Sequence, residues 1–434
     1  MRFAPKRRGG NPAATSRNID KLNTLLGECS RQYKSAIDRN DFAAAYQHML
    51  KAYSLAPGHA PVIMELAYTE LRLGRHKDAY QHYLKAIQVS QPNVATNIYD
   101  GMTEVCHFLG KEDDMRTYGA LALQTKRQQV IDEPVASTCD TAPPPFNPQQ
   151  PGENIIAYSL YGGLPRYCET ALINVTLARQ IYPEWTCRFY VDDTVSGHIQ
   201  QQLTERGAQV QHVSAAQKEL SGLYWRFLVM DDPDAKRFLI RDADSLVSYR
   251  ERAAVDEWLA SGKWFHTMRD SYTHTELILA GMCGGTHGIF HNIEQMVRDF
   301  IQTGRFLTTR VMDQHFLRYC IWPTLTRSVC RHDSQGFEAD AFNFPAPAQQ
   351  TDFEQLAFHV GMNEGASTFS VAIQHPTASK VRWQITDEHG KAVCAYDAVV
   401  PASRKITVDI PRHYGRKIEA GNWSVKIYPY ETPA

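Results

Sequence analysis

The sequence lacks a dominant charge: 46 Lys and Arg stand against 47 Asp and Glu, a formal net charge of -1 over 434 residues. No global field draws such a chain to nucleic acid or to anionic lipid, so any charged patch must be local. It also lacks a paired-cysteine pattern. The nine cysteines, at 29, 106, 139, 168, 187, 283, 320, 330 and 394, are scattered, odd in number and without a C-x-x-C. That argues against both a disulfide framework and a structural zinc site. No stretch is long and apolar enough to span a bilayer. Met1 to Arg17, with Arg2, Lys6, Arg7 and Arg8, lacks the apolar segment of a secretory signal; residues 1–19 are expected to form a disordered basic tail. The expected location is a reducing cytoplasm, either free or peripheral at the inner face of the membrane. Neither G-x-G-x-x-G nor G-x-x-x-x-G-K-[ST] occurs, which weakens dinucleotide and P-loop readings.

What is present divides into three parts, as the length allows. From Leu22 to about Gln128 the pattern is helical and repeats. Ala45-Tyr46-Gln47-His48-Met49-Leu50-Lys51-Ala52 recurs as Ala79-Tyr80-Gln81-His82-Tyr83-Leu84-Lys85-Ala86, an offset of 79 − 45 = 34 residues. That is the tetratricopeptide period. Ala67, Gly74, Pro57 and Pro92 resemble the small and proline positions that close stacking of helix pairs requires, and a looser third unit runs through Gly110, Met115 and Ala122. An ordinary helical bundle is the alternative. Residues 20–130 therefore predict an all-α repeat region whose surface binds a protein partner or mediates self-association, and predict no chemistry.

Residues 131–152 read as a proline-rich linker, stiff and extended. Strand and helix then alternate: strands at Asn154 to Leu160, Thr186 to Val191 and Ala208 to Val213, with helices near Pro165 to Ile181 and His198 to Arg206. Such alternation implies a largely parallel sheet covered on both faces, with ligands beyond the carboxyl ends of its strands. Arg237-Phe238-Leu239-Ile240-Arg241-Asp242-Ala243-Asp244-Ser245 is the segment of greatest interest, an apolar strand that stops at two acids one residue apart. Two converging carboxylates make a hard oxygen site for Mg²⁺ or Mn²⁺ bridging to phosphate oxygens. The bland alternative is a turn that caps the following helix. A second D-x-D, Asp232 and Asp234, brackets Pro233 and follows no comparable strand.

Trp264 to Met268 reads as a further strand. The polar, glycine-rich Arg269 to Glu276 and Ala280 to Thr286 read either as a backbone approach to a ligand or as a tight return. From residue 348 onward alternating strands, with a hairpin turn at Asp387-Glu388-His389-Gly390, predict an antiparallel β-sandwich. Trp383, Trp423 and Tyr430 could serve carbohydrate there, but aromatics on such strands are more often core.

Residues 153–347 resemble the glycosyltransferases of the GT-A fold, a Rossmann-like α/β class with a D-x-D motif. The resemblance is carried by Ala157-Tyr158-Ser159-Leu160-Tyr161-Gly162, Phe189-Tyr190-Val191-Asp192-Asp193, Tyr224-Trp225-Arg226-Phe227, Arg241-Asp242-Ala243-Asp244-Ser245, and later Asp313-Gln314 and His332. It implies that Asp242 and Asp244 bind Mn²⁺ or Mg²⁺ with His332 as a further ligand, and that Ala243 lies against the donor. It implies that Tyr158, Ser159, Leu160, Tyr161, Gly162 and Asp192 contact base and ribose, and that Arg226 offsets diphosphate charge. Asp313 is the implied catalytic base, with Asp270 and Glu276 as rivals. The expected activity is sugar transfer from a nucleotide-sugar donor, a UDP-sugar foremost, to a glycan acceptor, in keeping with bacterial surface-polysaccharide assembly. A noncatalytic repeat scaffold with an inactive sugar-nucleotide fold and a sugar nucleotidyltransferase are the alternatives.

Overall fold

The computed structural model describes residues 12–305, 311–365, 367–375 and 378–429, with side chains from Asp20 to Tyr428. Residues 1–11 of the expected tail, and Tyr430, lie outside the described residues. The rest of that tail is helical, because α1 already begins at Pro12 (Pro12–Asp38). The chain divides into two compact units.

The first unit contains α1 and then α2 (Phe42–Leu55), α3 (Ala60–Arg72), α4 (His76–Ser90), α5 (Thr96–Phe108) and α6 (Glu112–Gln129), each packed against the next. The reversals after α1, α3 and α5 pass through left-handed residues: Asn40 at φ 55°, Gly74 at 73° and Gly110 at 66°. Glycine and asparagine adopt that conformation at least cost, so the repeat period is written into these turns. Ala45 and Ala79, Met49 and Tyr83, and Ala52 and Ala86 are buried at matching positions, as are Met115 and Ala122 of the looser third repeat. The unit also takes in Tyr272–Leu277 and Gln335–Ala339. Tyr272 stacks on His107 with ring centroids 3.7 Å apart, and Lys126 Nζ donates to the Thr275 carbonyl at 2.7 Å.

The second unit begins at Val130. Its elements are β1 (Asn154–Leu160), α7 (Pro165–Ile181), β2 (Thr186–Val191), α8 (Gly197–Glu205), β3 (Gln209–His212), the 3-10 helix Gly222–Met230, β4 (Arg237–Arg241), α9 (Tyr249–Ala260), β5 (Phe265–Arg269), β6 (Met282–Thr286), α10 (Ile293–Gln302), α11 (Met312–Phe316), α12 (Trp322–Leu325) and β7 (Val329–Asp333). The seven strands lie in the order β3-β2-β1-β4-β6-β5-β7. Pairing is parallel except where β6 runs against β4 and β5. β6 corrects the reading of its residues as a return or a ligand-facing glycine segment. A Cβ at Gly284 or Gly285 would strike Leu239, Phe238 or Phe265, so glycine here lets neighbouring side chains close over a central strand. The segment expected as a linker has no helix or strand before Pro151 and lies along this unit, Trp264 Nε1 donating to the Thr141 carbonyl at 2.6 Å and Phe146 stacking on Trp185.

The same unit ends in β8 (Ser367–Ala372), β9 (Lys380–Thr386), β10 (Ala392–Val399), β11 (Lys405–Ile410), α13 (Arg412–Glu419) and β12 (Ser424–Pro429). These form a three-stranded sheet, β10-β9-β12, and a two-stranded one, β11-β8, about a shared apolar cluster. Trp383 is core, stacked on Tyr396, while Trp423 donates to Glu388 at 3.0 Å. Among the described residues no helix is long and apolar enough to cross a membrane.

Gly101 tests the helical packing. Alanine is favoured over glycine in a helix interior by about 1 kcal/mol, so propensity alone predicts stabilisation by Gly101→Ala. A Cβ there meets the ring of buried Tyr83. Gly101→Ala is therefore expected to destabilise by about 1–3 kcal/mol, with Tyr83→Leu recovering much of the loss. Thermal denaturation followed by helical circular dichroism decides the sign.

Candidate functional site

β4 is buried at all five positions and delivers its next residues to the carboxyl edge of the sheet. The acid-bearing turn there is held from two sides. Asn174 on α7 donates from Nδ2 to the Ser245 carbonyl at 2.7 Å and accepts from the Val247 N–H at 3.0 Å. From the other side, the Glu364 N–H donates to the Asp244 carbonyl at 2.6 Å and Ser245 Oγ to the Gly361 carbonyl at 3.2 Å. These hydrogen bonds fix the backbone from which both carboxylates project.

The charges around them are unequal. Burial and then the neighbouring Asp242 push Asp244 up to about 6, against the pull of Arg166, whose Nη2 lies 3.6 Å away. Asp242 is met by Arg226 instead. The Arg226 fork donates to Asp242 through Nη1 and to Asp313 through Nη2 at 2.8 Å, while its backbone N–H donates to Ser159 Oγ at 2.9 Å. Burial works against the Arg226 charge, but the two carboxylates more than offset it and hold the guanidinium above its ordinary range. Asp313 is raised by its own burial, with Arg226 opposing.

Ser159, Leu160, Tyr161, Arg226, Asp242, Ala243 and Asp244 line one cleft of about 190 Å³. Tyr167 and Leu223 complete it, and neither was singled out by the sequence. Tyr161 is 42% exposed and packs edge-on against Trp225. Gly281 leaves room for the Asp242 carboxylate, which a Cβ there would run into.

The other expected donor residues are placed differently. Tyr158 is fully buried and stacks on Phe189, because strand alternation sends it to the face opposite Ser159. Gly162, at φ 75°, donates its N–H to Thr194 Oγ1 at 2.6 Å, and Thr194 in turn bonds Asp192. Asp192 thus ties the β2 turn to the β1 turn outside the cleft lining. His332 is a correction. It sits on β7, three strands from β4, roughly 14 Å by strand spacing, and is engaged with His266 at 2.8 Å and Glu257 at 3.2 Å. Among the described residues no group of three or more His, Cys, Asp and Glu is arranged to hold a metal. Asp313 is 7% exposed behind Arg226, so a role as base would cost it this ion pair. The rival Asp270 is saturated by Arg250, Ser334 and the Val360 N–H. Glu276 belongs to the helical unit, where it accepts from the Leu277 N–H.

No family model and no curated protein matches the chain. Among solved structures, an Arabidopsis OM64 TPR domain is 17% identical, covering 25% of this chain and 87% of its own, at a TM-score of 0.23. A Thermobaculum terrenum O-GlcNAc transferase mutant is 12% identical over 51% of each chain, at 0.28. An active-site mutant of LgtC is 15% identical, covering 42% of this chain and 73% of its own, at 0.29. Likenesses at such scores carry no argument about chemistry.

The raised Asp244 gives a signed prediction. A carboxyl with a higher pKa folded than unfolded binds more protons in the native state, so its contribution to stability falls as pH rises from about 4 to about 6. Without divalent cation, Asp244→Asn is expected to stabilise the protein at pH 7 by up to about 2 kcal/mol, and the difference should shrink toward zero at pH 4. Parallel thermal melts of both proteins across that range measure it.

Proposed function

We propose that the second unit is a glycosyltransferase taking a sugar from a nucleotide-sugar donor, a UDP-sugar foremost, to a glycan acceptor. In this reading Asp242 and Asp244 hold Mn²⁺ or Mg²⁺ against the donor diphosphate. The observation that carries it is the pair of acids brought into one cleft by a hydrogen-bonded turn, one of them raised by burial and then by the other. Two carboxylates constrained in this way fit a dication, whose charge would relieve their repulsion, and diphosphate oxygens would complete the coordination. When bound, the ion would stabilise negative charge on the departing nucleoside diphosphate.

The chain's own groups do the positioning. Arg226 holds Asp242 at the cleft through Nη1, and Asp313 fixes the other arm of that fork, which makes Asp313 a positioning residue. The half-exposed Tyr161 offers an aromatic face to a flat base beside Ser159. Leu160, Tyr167 and Leu223 keep part of the wall apolar, which excludes water from the bond being broken.

Calorimetric titration with UDP tests the reading. Binding is expected to need Mn²⁺ and to weaken by about tenfold or more in Asp242→Asn; equal binding with and without the ion, or none, removes the proposal. Asp313→Asn separates the two roles of that residue. A positioning role predicts weaker UDP binding, whereas a base would leave binding intact and lower transfer about a hundredfold or more. Product analysis distinguishes a nucleotidyltransferase, which would form a nucleotide sugar and release pyrophosphate.

A further inference from the structure

Helices α7 and α13 both line a second cavity, of about 750 Å³, which shares no lining residue with the acidic cleft. Each turns one face to it. Ile173, Thr176, Leu177 and Gln180 of α7 are spaced i, i+3, i+4 and i+7, and so are His413, Arg416 and Lys417 of α13 with its C-cap Ala420. That spacing brings side chains to one side of a helix.

The two faces differ in chemistry. The α7 side is largely aliphatic and is extended by Leu172, Leu246 and Phe353, all three buried, while Leu356, also in the lining, is 54% exposed. The α13 side is basic, and Arg206 at the end of α8 adds to it. The lining thus holds three permanent cations, Arg206, Arg416 and Lys417, against one carboxylate, Asp352. These cations are loosely committed. Arg416 Nη2 stands 3.8 Å from Glu364, Arg206 Nη1 donates to the neutral Gln202 at 2.8 Å, and Lys417 Nζ has neither a hydrogen bond nor an ion pair among the described residues. Glu169 behind Tyr414 is already taken by Tyr396 and Tyr414. His413 registers the excess of positive charge: burial lowers it first, then Arg416 and Lys417, with Asp352 opposing.

Three cations over one carboxylate select an anionic group. The size lies within the range of about 300–1,000 Å³ usual for a bound small molecule. Free phosphate would leave the aliphatic wall unused, and an acidic peptide would set polar backbone against it. A molecule with an anionic head and a hydrocarbon tail satisfies both sides, the tail on Leu172, Leu177 and Leu246 and the head at Arg416 and Lys417.

We propose that this cavity binds one anionic amphiphile, an alkyl chain ending in a phosphate or carboxylate. The proposal stands apart from the glycosyltransferase reading, and its test uses neither UDP nor divalent cation. The full chain is titrated calorimetrically with butyl, hexyl and octyl phosphate, and with octyltrimethylammonium as a control of equal tail and opposite charge. Octyl phosphate is expected to bind at about 0.1 mM or below, with affinity falling about a hundredfold from octyl to butyl as four methylenes are lost. The cationic control should bind at least about tenfold more weakly. Lys417→Glu should weaken octyl phosphate about tenfold and Leu356→Ser about threefold, each at an unchanged thermal midpoint without ligand. The proposal is overturned if octyl phosphate does not bind, if chain length has no effect, if the cationic control binds as tightly, or if binding survives both substitutions. Sedimentation with phosphatidylglycerol vesicles then distinguishes the sources: retention that octyl phosphate relieves assigns the amphiphile to a bilayer, and no retention assigns it to a free molecule.

Discussion

The candidate site depends on one buried cation. Arg226 reaches from the 3-10 helix to Asp242 after β4 and to Asp313 at the start of α11, so three segments distant in sequence meet on one guanidinium. Taking these charges out of water is expensive, and their attraction offsets the expense only because the fork satisfies both carboxylates at once. An apolar core of the same shape would cost less to fold. What the charged arrangement provides is definition: it ties Asp242 to Arg226 and leaves Asp244 with Arg166 at 3.6 Å, raised by burial and then by Asp242.

Much of this was legible in the sequence because it is local. The run Phe238 to Ile240 ending in acids marks a buried strand and its exit, and the 34-residue recurrence marks helix pairs whose turns need left-handed residues. The same holds for Asp387 to Gly390, where Asp387 accepts from the His389 and Lys391 N–H groups and Gly390 takes φ 77°. What failed was whatever depends on the partner across a sheet. Met282 to Thr286 carries glycines that local propensity assigns to turns, yet their function is to admit Phe238 and Phe265. Arg226 lies near Asp231 and Asp232 in sequence, but its ion pairs are made 16 and 87 residues away.

His332 shows the same limit in reverse. Its place near the end of the α/β region suggested a ligand, but the strand order puts β6 and β5 between its strand and β4. There it joins His266, which is stacked on Trp258, and burial lowers both imidazoles. Tyr158 was misassigned for a simpler reason. A motif read as a string ignores that alternate residues face opposite sides of the sheet, and Tyr158 follows its parity into the core.

Helix α7 carries Glu169, which accepts hydrogen bonds from Tyr396 at 2.6 Å and Tyr414 at 3.0 Å. One turn earlier Arg166 stands between Asp244 and Asp409, at 3.6 and 3.8 Å. The carboxy-terminal strands are thus mechanically continuous with the wall of the acidic cleft through a single rod. Trimming them away as a dispensable appendage would remove Asp409 and leave Arg166 to Asp244 alone, so the charge balance at the cleft is set in part by strands far from it in sequence.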